Sequence, residues 1–138
     1  MLFRSWLTPN ETETLTLLQR SATELNSSGH LEDAAQQLMK QGCRNVLLKL
    51  GERGCYVALA TGERTLVPSY RVKAIDTTAA GDAFNGAFAT ALLRGTDPIA
   101  SVKYASAVAA ISVTRHGAQP SMPTSSEVEA FLREGKII

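Results

Sequence analysis

Two cysteines in 138 residues are too few for a disulfide framework, and Cys43 and Cys55, with no histidine or further cysteine close by, lack the spacing of a zinc site. Both read as small core or near-surface thiols. Long hydrophobic runs are also missing: no stretch approaches the roughly 18 to 20 uninterrupted apolar residues of a membrane helix. Nor is there an excess of one charge, since 14 Lys and Arg stand against 13 Asp and Glu for a net +1. That balance argues against nucleic acid or a membrane surface held by bulk charge. Met1 to Leu7 carries one arginine and a brief apolar patch, without the longer apolar run of a signal peptide, so a cytoplasmic location is expected. No internal repeat or low-complexity tract occurs. His30 and His116 are isolated, match no catalytic pair and are expected to face solvent.

What is present is a hydrophobic share of 44% with 20% charged residues, the composition of a soluble globular chain. The length suits one domain over residues 1–138 with a sizeable core. Residues 8–42 read as two helices, the first opened by Thr8-Pro9-Asn10-Glu11-Thr12-Glu13, where proline and acids suit a first turn. Asn26-Ser27-Ser28-Gly29 separates them. The second, from Leu31 to about Gln41, places Leu31, Ala34, Ala35, Leu38 and Met39 on one face and stops at Gly42.

Arg44 to Leu50 is an apolar run too short for a helix and is predicted as a buried parallel strand. Cys55 to Ala60 and Arg64 to Val67, joined by Thr61-Gly62-Glu63, predict an antiparallel hairpin, and Tyr70 to Ile75 a further strand. The sheet is therefore expected to be mixed and the fold class α/β. From Ala80 to Leu93 apolar positions recur at helical spacing until Gly95, and Asp97-Pro98 opens a helix that is small or apolar on every face. Thr114 to Thr124 predicts a loop. Ser125-Ser126-Glu127 starts a last helix, with Val128, Phe131 and Leu132 expected inward.

The chemistry concentrates in Asp76-Thr77-Thr78-Ala79-Ala80-Gly81-Asp82, between a predicted strand and the clearest helix. Small residues at 79–81 let a ligand approach the backbone, and the free N–H groups of a first helical turn attract an anion such as phosphate. Asp82 in that turn could accept a proton from a substrate hydroxyl, or simply support the helix as a first-turn acid worth about 0.3 to 1 kcal/mol. Asn10 with Glu13 three residues on reads as a helix cap. Leu50-Gly51-Glu52-Arg53-Gly54 follows the buried strand's carboxyl end, where open α/β sheets bind ligands, although a turn there needs glycine anyway. It is not a Walker A loop, which requires Gly-Lys-Ser/Thr.

The Asp76 to Asp82 segment resembles the signature of the PfkB, or ribokinase-like, family of ATP-dependent sugar kinases. Three more segments agree in order and spacing: Thr8 to Glu13, Leu50 to Gly54, and Thr114-Arg115-His116-Gly117-Ala118-Gln119-Pro120-Ser121. Together they look most like the family's ribokinase branch. The resemblance implies a three-layer α/β/α, Rossmann-like fold with a mixed sheet, of which this chain holds the C-terminal portion without the lid.

It further implies Asp82 as the base that takes the proton from the 5-hydroxyl of D-ribose. The N–H groups at Ala80 and Gly81 would stabilise the transferring phosphoryl group of ATP. Asn10 and Glu13 would lie near the phosphates and their Mg2+; Lys49, Leu50, Gly51, Glu52, Arg53 and Gly54 would lie beside the nucleotide. Ser106 matches a position near the adenine, and equally reads as a small packing residue on a buried helix. Asp76, Thr78, Ser112, Arg115, Gly117 and Ser121 match a monovalent cation (K+) site, in which Arg115 and Gly117 could offer only carbonyl oxygens.

The resemblance runs from about Thr8 to Leu132. The family's glycine-rich sugar-binding half has no counterpart, so the chain is expected to be a truncated form, gene fragment or late-start product with little activity alone. Homodimerisation, which in the family runs largely through the lid, is not assumed. The competing readings are a kinase of this family for another sugar or nucleoside and a non-catalytic nucleotide-binding remnant.

Overall fold

The computed structural model describes residues 6–21 and 25–134, which belong to two compact units, residues 1–68 and 69–138. In the first, β1 (Trp6–Leu7) leads into α1 (Glu11–Leu18) and α2 (Ser28–Lys40), and the chain returns as β2 (Asn45–Lys49) parallel to β1. A 3₁₀ turn (Gly51–Arg53) then reverses it into β3 (Cys55–Ala58) and β4 (Arg64–Val67), both antiparallel to their neighbours. The strand order is β1-β2-β3-β4. This is the mixed α/β sheet that the sequence predicts.

Register shows why the short run at 45–49 is a strand. Val46 and Leu48 point to the side of α2 and pack with Leu31, Ala34, Ala35 and Leu38. Leu47, opposite Val57, points the other way and is equally fully buried, so the strand is apolar on both faces. α2 begins at Ser28, three residues earlier than Leu31, because Ser27 serves as its cap and accepts the His30 N–H at 3.2 Å. Met39 is half-buried beside that core.

The second unit is helical. α3 (Ala80–Leu93) keeps the boundaries expected from its spacing and buries Ala83, Phe84, Phe88 and Ala91. Gly95 turns the chain at φ 84, a conformation that favours glycine, and Asp97 caps α4 (Pro98–Ser112) by accepting the Ile99 and Ala100 N–H groups. α4 packs along α3 and against α5 (Ser125–Glu134). Alanines at 83, 107 and 110 line that core with Val108, Ile111, Val128 and Phe131.

Two expectations are corrected here. Residues 70–75 are not a strand: Tyr70 and Val72 pack on the helical core, while the Ile75 and Asp76 N–H groups both go to the Val113 carbonyl, at 2.7 and 3.1 Å. The segment has a strand's composition, but Ile75 is 53% exposed and no neighbouring strand pairs with it among the described residues. Leu132 does not point inward; it is 40% exposed, because Val128 and Phe131 already fill the inner face of α5. His30 and His116 are exposed, as expected.

Candidate active site

In the first unit the motif residues gather where the parallel strands β1 and β2 end. The Lys49 N–H donates to the Pro9 carbonyl at 2.9 Å, and Asn10 and Lys49 form a parallel bridge. Asn10 then starts α1 through a reciprocal cap. Its Oδ1 accepts the Glu13 N–H at 2.8 Å, and Glu13 Oε2 accepts the Asn10 N–H at 2.8 Å. Beyond Lys49 the loop closes on itself: Leu50 N–H donates to the Gly54 carbonyl at 2.8 Å and Gly54 N–H to the Gly51 carbonyl at 3.1 Å. Leu50 is buried beneath it, while Gly51, Glu52 and Arg53 are exposed.

Arg53 has a job that sequence reasoning missed. Its guanidinium donates to the Leu25 carbonyl at 2.8 Å and pairs with Glu11 at 3.1 Å, so it ties this loop to α1 and to the approach to α2. No spacing signal announces contacts 28 and 42 residues away in the chain. The same holds for Glu32, which accepts from the Tyr56 hydroxyl and from Arg64 Nε. Burial and the facing carboxylate push the Tyr56 phenol up to about 12, so it remains a neutral donor.

In the second unit Asp76 draws distant segments together. Oδ1 accepts the Thr78 hydroxyl at 2.6 Å and the Thr78 N–H at 2.9 Å, while Oδ2 accepts the Gly117 N–H at 3.0 Å. The Thr78 and Gly117 donors hold its carboxyl down at about 2. Gly117 sits at φ 88, where a side chain would be strained. Ser112 and Ser121 are almost fully buried and donate their hydroxyl protons to the Ala109 and Ala118 carbonyls, which leaves oxygen lone pairs for an acceptor role. Arg115 pairs with Glu127 at 2.6 Å.

From Asp76 the chain runs straight into α3, whose start has no side-chain cap because Ala79 stands there. The Ala80 N–H turns back to the Thr77 carbonyl at 3.2 Å. The Gly81 and Asp82 N–H groups have no hydrogen-bond partner among the described residues, so this is the open helix start an anion requires. Asp82 itself is exposed, and its carboxylate makes no ion pair or hydrogen bond within the described residues. Ser106 is buried in α4.

The donor sets suit the ions that such a site would need. An ionised Asp76, hydroxyl oxygens and loop carbonyls are hard ligands for a monovalent cation. One free oxygen on Glu13 suits Mg2+, which takes one or two carboxylates and fills its shell with phosphates and water. Among the described residues no group of three or more His, Cys, Asp or Glu could hold a metal by side chains alone.

An open helix start just after the Asp76 hydrogen-bond hub can receive a phosphate, and comparison with known proteins gives the class. The pattern of the pfkB family carbohydrate kinases matches residues 4–125, and the chain belongs to that family. It is similar to the ribokinase of Haemophilus influenzae, 40% identical over 126 residues that cover 91% of this chain and 40% of that protein. Among solved structures, the ribokinase of Thermotoga maritima superposes with a TM-score of 0.82 at 47% identity, over 93% of this chain and 42% of that one. The ribokinase of Arabidopsis thaliana, solved with ribose and ATP, gives a TM-score of 0.86 at 31% identity, over 93% and 40%. The fold is thus ribokinase-like α/β, and the chain spans about two fifths of its relatives' length.

Proposed function

We propose that this chain is the nucleotide-binding and catalytic portion of an ATP-dependent sugar kinase, with the 5-hydroxyl of D-ribose as acceptor. The uncapped first turn of α3 carries the reading, because it places unpaired N–H groups beside an exposed carboxylate. Asp82 takes the proton from the sugar hydroxyl as its oxygen forms a bond to the γ-phosphorus. The bond from that phosphorus to the β–γ bridging oxygen breaks and ADP leaves. The Gly81 N–H, together with that of Asp82 in place of the expected Ala80 N–H, which is taken by the Thr77 carbonyl, stabilises charge on the phosphoryl oxygens, the main catalytic need in such transfers.

Lys49 to Gly54 and Ser106 are assigned to the nucleotide, Asn10 and Glu13 to the phosphate and Mg2+ vicinity, and Asp76, Thr78, Ser112, Arg115, Gly117 and Ser121 to K+. When bound, these cations neutralise phosphate charge and shape the loop beside α3. The preference for ribose rests on the similarity to ribokinases.

Calorimetric titration of the purified chain with Mg-ATP in potassium buffer tests the reading. Saturable one-site binding, weakened when sodium replaces potassium, is expected. Absence of binding by a chain with a cooperative unfolding transition refutes it. A turnover screen of a longer form, containing the sugar-binding half, decides between ribose and another acceptor.

A further inference from the structure

The second unit holds a groove of about 370 Å³ that the kinase reading does not use. Its size falls at the lower end for small-molecule sites. Tyr70, Tyr104, Leu132 and alanines of α3 and α4 make most of its wall, and Arg94, Lys103 and Thr96 complete it. The wall is mainly apolar, contains no carboxylate and carries two cations.

The groove is fixed by its surroundings. Tyr70 packs edge-on against Phe131, with ring centroids 5.0 Å apart at 72°. The α3–α4 turn is held by the Thr96 N–H on the Ala91 carbonyl at 3.1 Å and by the Ser101 hydroxyl on the Thr96 carbonyl at 3.3 Å. A preformed site loses less entropy on binding.

The two cations differ in what accounts for them. Arg94 follows the last turn of α3, where the negative end of the helix dipole favours a positive charge. Lys103 has no such reason: it is the single charged residue among the 15 of α4. Both are exposed, and neither side chain has an ion-pair or hydrogen-bond partner among the described residues. Unpaired cations at the rim of an aromatic-walled groove complement a ligand with an anionic head and an apolar body.

From this placement we infer that the groove between α3, α4 and α5 binds a small anion with an aromatic-sized apolar body, separately from any nucleotide. The head group is a carboxylate or a phosphate, which share the recognition chemistry of Arg94 and Lys103.

Amide NMR titrations of the whole chain with 1-naphthoate, 1-naphthyl phosphate and neutral 1-naphthamide test this. At least one anion should bind tenfold or more tightly than the amide, with shifts centred on residues 94–104 and on Tyr70. The tighter anion identifies the head group. The double variant R94Q/K103Q should lose that preference while still binding the neutral amide, and both changes are at exposed positions, so its circular dichroism should match the parent. Equal affinity for all three probes overturns the inference. So do shifts centred on residues 79–83, or an anion preference that survives in the double variant.

Discussion

Two helices of this chain open on motif residues, and their first turns are finished in opposite ways. At α1, Asn10 and Glu13 cap each other's backbone N–H, so the positive end of the helix is satisfied from within. At α3, Ala79 lies at φ −105 and ψ 10 with no side chain to accept, and the Gly81 and Asp82 N–H groups stay open. A closed start stabilises the fold, whereas an open one keeps its binding capacity for a ligand. An acid at the third helical position therefore closes the start of α1, where Asn10 stands at the cap, and leaves that of α3 open, where Ala79 does.

The largest effect should come from the open start. In a longer, active form, Asp82→Ala should lower kcat by about 10²- to 10⁴-fold, the usual contribution of a positioned base. Titration with Mg-ATP should show an affinity within about threefold of the parent, since the N–H groups remain. A variant that retains most of its rate would remove Asp82 from the base role.

The core of the unit that holds the closed start comes next. Leu38 is 1% exposed in the core between α2 and the sheet. Leu38→Ala should cost about 2–5 kcal/mol in urea unfolding through the lost burial and the cavity left behind.

Smaller is the cap itself. Asn10→Ala should cost about 0.5–2 kcal/mol. At α3 the matching change, Ala79→Ser, should bring no such gain, because a capping residue needs extended backbone and this one has ψ 10, and the added hydroxyl enters a position only 5% exposed. Equal and opposite effects of the two substitutions would erase the distinction between the two starts.

The last test is a titration. Asp76 has its carboxyl lowered from 3.8 to about 2, so it binds protons less readily folded than unfolded. Its favourable contribution is present above about pH 4 and fades as pH falls toward 2. The Thr78 and Gly117 amide signals should move together with a midpoint near 2, a coupling that Asp76→Asn should abolish. Separate midpoints would show that the carboxylate does not join the two segments.

Helices were the most legible part of the chain. Phe84, Phe88 and Ala91 fall on one face of α3, and Gly95 marks its end, because helix periodicity and glycine's access to positive φ are local properties. The hairpin was legible for the same reason. Residues 70–75 have a strand's composition but form none, since a ladder needs a partner from elsewhere in the fold. Of the candidate site, the motifs single out Asp76, Asp82 and Asn10, whereas the bonds of Arg53 to Glu11 and Leu25 have no signal along the chain.

By itself the sequence determined the α/β pattern, the bounds of α3 and the family, all of which follow from spacing along the chain. The tertiary structure decided which polar groups are already occupied. Asn10 and Glu13 are engaged with each other, and Asp76 reaches Gly117 across 41 residues, while the first turn of α3 remains open. Occupancy depends on which distant groups come within hydrogen-bond distance, about 3 Å, and that proximity exists only after the chain has folded.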